Sequence, residues 1–206
     1  MGPLIIAGVL IERDKLEVLR KIGVKDSKLL EPERRETLAH QIKKIALKYT
    51  AIEIKPPEID KVVLKGKKLF KLNYLEAETM AKVIEKLKPE IAYVDASDII
   101  AERFGEQIRN FIEYPVKIIS EHKADSKYLV VGAASILAKT LRDSAIDSLS
   151  KIFGEMGNGY PTDTTTQEFL REWIRKHGEY PDFVRKSWKT AQRIRTEVMG
   201  SQSKLF

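Results

Sequence analysis

From Leu4 to Ile11 the chain reads LIIAGVLI, a run without one polar side chain. A strand with no polar face suits a position covered on both sides, as in the middle of an α/β sheet. The pattern then changes period. Asp14 to Ile22 reads as a short helix closed by Gly23, and Val24 to Leu30 as a loop containing KDSK. Leu38, Ile42 and Ile45 form one stripe of a helix predicted from Pro32 to about Tyr49, with proline in its first turn. Thr50–Ile54 reads as a second strand, which Pro56 and Pro57 are expected to interrupt. Helices follow at Leu75–Leu87 and Ile99–Ile112, and strands at Glu90–Val94 and Val116–Ser120. The longest helical pattern is Tyr128–Phe153, whose Ala133, Ala134, Ser135 and Ala138 allow close approach of a neighbour. A turn, GNGYPTD, leads to helices at about Thr165–His177 and Lys189–Met199. Strands alternating with helices predict an α/β fold.

Each of two strands ends near a carboxylate. Asp95 closes the strand in YVDASD, and Asp125 follows the next strand in EHKAD. Ligands of α/β sheets gather beyond such strand ends. Two carboxylates there suit hard divalent cations such as Mg²⁺, and a pair of ions about 3.5–4 Å apart serves phosphodiester cleavage. Each acid could instead be a cap or a loop residue. The capping role better suits Asp98, ahead of IIAERF. His40, His122 and His177 have no zinc spacing; His122 stands out because it adjoins Asp125. Tyr160, between Gly159 and Pro161, sits on a stiffened turn where a ring could stack on a sugar or base, or simply pack. Trp173 and Trp188 read as core anchors.

Charge changes this picture in one direction. Lys and Arg number 37 against 30 Asp and Glu, a net charge of +7. That excess favours a polyanionic partner, although a well-solvated surface accounts for it equally. The basic stretch Lys61–Lys71 reads as a solvated loop and helix face. There is no cysteine, which excludes disulfides, thiolate metal sites and cysteine nucleophiles. Asn and Gln are scarce beside abundant Lys, Arg and Glu, a hint of a hot-growing source. No segment has the length and apolarity to span a bilayer, and no signal-peptide pattern opens the chain, so a cytoplasmic protein without a membrane partner is expected.

VKDSKLL, YVDASD, EHKADSKYLVVGAASILAKTLRD, GNGYPTD and VRKSWKT occur in an order and spacing that resembles archaeal ribonuclease HII. The resemblance runs from Gly2 to about Arg195. It implies a ribonuclease H-like mixed sheet flanked by helices, with a helical C-terminal region. It implies domains over 1–155 (catalytic) and 156–200 (substrate-binding), with a disordered tail, 201–206. The implied activity is endonucleolytic cleavage of RNA in RNA–DNA hybrids and of single ribonucleotides in duplex DNA, 5′ to the ribonucleotide, with Mg²⁺ or Mn²⁺. Carried over by position, Asp95 and Asp125 are metal ligands. Lys25, Ser27 and Lys28 form a substrate-touching loop, and Tyr160 senses the sugar at the RNA–DNA junction. His122 and Lys123 are further candidates.

Members of that family open with a strand and a DEAGRG motif before a Gly-Pro pair. Here the pair is Gly2-Pro3, and the first, central strand with its two acids has no counterpart in this sequence. The expectation is a sheet lacking that strand and impaired catalysis. The alternative is a non-catalytic nucleic-acid-binding protein on the same scaffold. A monomer is implied for the full-length form, with edge-mediated association possible for this chain. The tail's Gln202, Leu205 and Phe206 are faintly similar to the start of a sliding-clamp-binding peptide.

Overall fold

The apolar run forms strand β1 (Leu4–Leu10) and then turns through a short 3₁₀ segment, Arg13–Lys15, into helix α1 (Leu16–Ile22). Gly23 ends α1 in the left-handed conformation, φ 89°. This computed structural model describes residues 1–24, 30–64 and 71–202. Helix α2 (Pro32–Ile45) stops four residues short of the sequence expectation, because Ala46 is extended and Leu47 N–H donates to Leu10 O at 2.9 Å. The pull of the β1 ladder therefore ends the helix and starts β2 (Lys48–Ile54). The strand ends at Ile54, ahead of Pro56 and Pro57, as expected. They open helix α3 (Pro56–Leu64), where a missing N–H costs nothing because first-turn donors lack intrahelical partners.

The remaining elements are α4 (Lys71–Leu87), β3 (Ile91–Asp95), α5 (Ala101–Arg109), β4 (Lys117–Glu121), α6 (Ala124–Lys127), α7 (Leu129–Phe153), α8 (Thr164–His177) and α9 (Lys189–Gln202). The long helix begins one residue later than its pattern suggested. Tyr128 is extended (φ −115°, ψ 119°) and separates α6 from α7. The helix at the end runs on to Gln202, three residues past Met199, so the first two residues of the expected tail are helical; 203–206 lie outside the described residues.

The chain divides into two compact units. One gathers the described residues within Ile5–Glu53 and Lys68–Leu141. Its strands pair as β1 with β2 and β3 with β4 among the described residues, and helices cover them. Leu19, Leu38, Ile42, Ile136 and Leu137 form one core, with Ala7 and Val9 of β1 packed against it. The other face of β1 meets α4 so closely that a Cβ on Gly8 would stand 2.5 Å from Val83 Cγ1. This is why so apolar a strand carries a glycine at its centre. Phe104, Ile108, Ala92 and Val94 belong to a second core, where α4 and α5 pack on each other and α5 on β4.

The second unit gathers Met1–Leu4, Ile54–Lys67 and Arg142–Phe206, within the described residues. Met156, Leu170, Ile174 and Ile194 lie at its centre, with Trp173 and Trp188 packed against them, in the anchoring role expected from the sequence. Met1 is fully buried in the same core. Its amino group donates to Gly159 O at 2.5 Å, and burial, with Arg185 and Arg142 nearby, pushes its pKa down to about 3. Gly2 N–H donates to Phe183 O, and the Arg185 guanidinium donates to Gly2 O and Pro3 O, at 2.8–3.0 Å. Asp60 of α3 accepts the backbone N–H groups of Lys186 and Ser187.

Candidate metal centre and sugar-reading loop

Strands β3 and β4 run parallel, with Asp95 opposite Glu121, so both end at the same edge. In parallel pairing, residues in register project to the same face, and residues two apart share it. Tyr93, Asp95 and Glu121 therefore stand on one face. The loop after β4 turns back over that edge through Lys123, a non-glycine residue in the left-handed region (φ 56°). This turn aims Ala124 N–H at Asp95 Oδ1, 3.0 Å away. Asp125 is the next residue, 6% exposed and hydrogen-bonded by Ser126 Oγ. Ala96 N–H donates to Glu121 O at 2.9 Å, which ties the two strand ends again. The two carboxylates singled out by sequence thus lie at the end of β3 and in the first turn of α6, which the Ala124–Asp95 hydrogen bond joins directly.

Glu121 was not singled out by sequence, and the structure gives it a supporting part. Its carboxylate accepts from Lys127 Nζ and, at 2.5 Å, from Tyr128 Oη. These partners hold its pKa below the usual glutamate range and raise that of the Tyr128 phenol. Tyr128 in turn lies on Tyr93, ring centroids 4.4 Å apart. The group braces the α6–α7 junction against β3 and β4.

Asp98 does not cap the helix directly: the cap position is Ile100. Its buried carboxylate accepts Ile100 N–H at 2.9 Å and pairs with Arg103, and these bonds, the backbone one foremost, lower its pKa. His122 is exposed, and its Nε2 lies 3.1 Å from Ile99 O; Lys123 is exposed as well. Lys25, Ser27 and Lys28 lie outside the described residues. Among the described residues, no three His, Cys, Asp or Glu side chains gather closely enough to hold a metal ion.

In the second unit, GNGYPTD is a framed loop. Thr166, wholly buried, uses its hydroxyl to receive Gly159 N–H at 3.0 Å and to reach Met156 O at 2.8 Å. Asp163 Oδ2 accepts Asn158 N–H at 2.7 Å, and this backbone bond is the main reason its pKa is lowered. Asn158 Oδ1 accepts Tyr160 N–H. Tyr160 itself is 43% exposed, with the Arg142 guanidinium 3.8 Å from its ring centroid. The sequence carries Arg142 in LAKTLRD, but nothing local reveals that it faces a ring eighteen residues on.

A family model described as Ribonuclease HII matches residues 1–191. The chain belongs to the ribonuclease HII family. A ribonuclease HII of Pyrococcus abyssi (strain GE5 / Orsay) is 44% identical over 204 residues, covering 98% of this chain and 88% of that protein. Ribonuclease H2 from Pyrococcus horikoshii OT3 shares the fold with a TM-score of 0.87 at 39% identity, over 97% of this chain and 92% of that one. A chain of the PCNA:RNase HII complex from Archaeoglobus fulgidus matches with a TM-score of 0.84 at 41% identity, over 95% and 90% of the two chains. These matches establish a ribonuclease H-like α/β fold with a helical C-terminal region, as the motifs implied.

Proposed function

We propose that this chain acts on ribonucleotides within duplexes: RNA–DNA hybrids and single ribonucleotides embedded in DNA, cut 5′ to the ribonucleotide. The observation that carries the reading is the Asp95–Ala124 hydrogen bond, which joins the end of β3 to the start of α6, where Asp125 sits, in a chain of this family. Asp95 and Asp125 would hold Mg²⁺ or Mn²⁺, and their oxygen donors fit such ions. Bound divalent ions supply the charge that activates a water and stabilises the leaving oxygen in phosphodiester hydrolysis. The protein's own share is rigidity. Ala124 N–H fixes one Asp95 oxygen, and the Ala96–Glu121 bond fixes the strand end behind it. Tyr160 would pack against the sugar at the junction, and Lys25, Ser27 and Lys28 would meet the backbone. Tyr160→Ala should then lower cleavage more than binding, since orientation matters most for placing the scissile phosphate.

The test is nicking of a duplex with one embedded ribonucleotide in Mg²⁺ or Mn²⁺, by a version of the chain that carries a DEAGRG segment ahead of Gly2. Asp95→Asn and Asp125→Asn should abolish nicking while duplex binding in Ca²⁺ survives. Undiminished nicking by both variants overturns the reading.

The resemblance places two further acids ahead of the Gly-Pro pair, and these 206 residues supply only the Asp95–Asp125 half. Two negative charges face the four of two divalent ions, so slow or absent nicking by these residues alone is part of the proposal. The same observation favours a second reading, a non-catalytic binding module. Tight binding without nicking, in a version that also carries a DEAGRG segment, would support it. The Archaeoglobus fulgidus relative was solved with PCNA, which supports docking of a sliding clamp on this chain's Gln202–Phe206 tail.

A further inference from the structure

Arg142 is buried, with only 9% of the residue exposed, and its guanidinium lies 3.8 Å from the ring centroid of Tyr160, a residue 43% exposed. Arg142 Nη1 donates to Asn158 O at 3.2 Å, two residues before Tyr160. Gly159 between them has φ 76°, and a Cβ there would stand 3.1 Å from Arg142 Nη2 and 2.8 Å from Ile146 Cδ1. The glycine therefore makes room for the arginine as well as for the turn. The far side of the loop is held by Asp163 and Thr166, and its middle by the Met1 amine on Gly159 O. Tyr160 itself is exposed, as are Asn158 and Thr162 beside it.

We propose that Arg142 is a positioning residue that turns Tyr160 into a one-faced platform, closing the inner face and fixing the tilt at which the outer face meets a sugar. The inference rests on the reading of Tyr160 given above. A planar guanidinium can lie flat on a ring while its edge donates to a carbonyl; an ammonium offers a point charge and cannot do both. Being buried, Arg142 does not reach a phosphate. Its effect is on discrimination between duplexes and not on the electrostatic component of binding.

The experiment measures affinity by fluorescence anisotropy in Ca²⁺ for two duplexes of one sequence, all-DNA and with a single ribonucleotide. The preference ratio is the readout. Tyr160→Ala should bring the ratio of the wild-type chain to one. Arg142→Lys and Arg142→Gln should lower it by about fivefold, what a partly desolvated ring–cation contact contributes. Adding Arg142→Lys to Tyr160→Ala should change nothing further. The slope of log Kd against log salt should stay at the wild-type value in Arg142→Lys and Arg142→Gln, whereas loss of a phosphate contact lowers it by about one. Thermal melting followed by tryptophan fluorescence identifies any variant that fails to fold, and Arg142→Lys keeps the buried charge. A wild-type ratio retained by both Arg142 variants, in a chain where Tyr160→Ala loses it, overturns the inference and leaves the reading of Tyr160 standing. A fallen salt slope in Arg142→Gln overturns it by making Arg142 a phosphate contact. A wild-type chain with no preference overturns both.

Discussion

In a 206-residue chain that starts at Met1, converting the Met1 amine to an acetamide should stabilise the fold increasingly as the pH falls. The amine is buried, and its pKa drops from the ordinary 8.0 to about 3 in the folded chain. The unfolded chain therefore binds a proton that the folded chain rejects. Because the folded pKa is the depressed one, full stability is present above pH 8 and is lost as the pH falls towards 3. At pH 7 the loss is about 1.4 kcal/mol, and each further unit downwards adds about the same, reaching roughly 4 kcal/mol at pH 5. An acetamide keeps an N–H for Gly159 O but does not titrate. Every other titrating group is common to both forms, so the difference between them isolates this one. For a chain of this size, 4 kcal/mol corresponds to a Tm difference of about 8–16 °C at pH 5. The assay is thermal melting of the two forms from pH 8.5 to 5. Tryptophan fluorescence suits it, because Trp173 and Trp188 are the two tryptophans and both pack on the core that holds Met1. Parallel Tm–pH curves for the two forms would refute the reasoning.

Thr166→Val should cost about 1–3 kcal/mol, since Gly159 N–H and Met156 O lose their buried partner; urea unfolding checks it. Gly8→Val should destabilise the first unit by about 1–3 kcal/mol of overpacking, because Val83 and Leu87 occupy the space of the new side chain. Circular dichroism during urea unfolding reads that loss, and an unchanged midpoint would contradict the close approach of α4. Joining a DEAGRG-bearing strand ahead of Gly2 should raise Mg²⁺-dependent nicking well above that of these 206 residues. Equal rates in a side-by-side assay would remove the case for impairment.

Much of this architecture is legible in the residues themselves. The unbroken apolar run of β1 and the places of Asp95 at the end of β3 and Asp125 just past β4 depend on local pattern, and local pattern carries them. Helix α3 was hidden because Pro56 and Pro57 read as breakers when their place in the first turn makes them helix starters. The early end of α2 is set by Leu10, more than thirty residues away, through a bond no local rule contains. The candidate site divides in the same way. Its acids and Tyr160 carry motif signals, whereas Glu121 with Tyr128, and Arg142 under the ring, acquire their parts only from contacts made in three dimensions.

The partition of the chain also sets a timetable. As the ribosome releases the N-terminus first, residues 5–141 provide everything the first unit needs. The second unit must wait. Met1 bonds to a residue 158 positions away, and Gly2 to an arginine 183 positions away. Closing loops of that length is slow. Residues 1–4 are thus made before the first unit and placed after it. Until Gly159 and Arg185 emerge, Met1, Gly2 and Pro3 lack the partners that hold them in the folded chain.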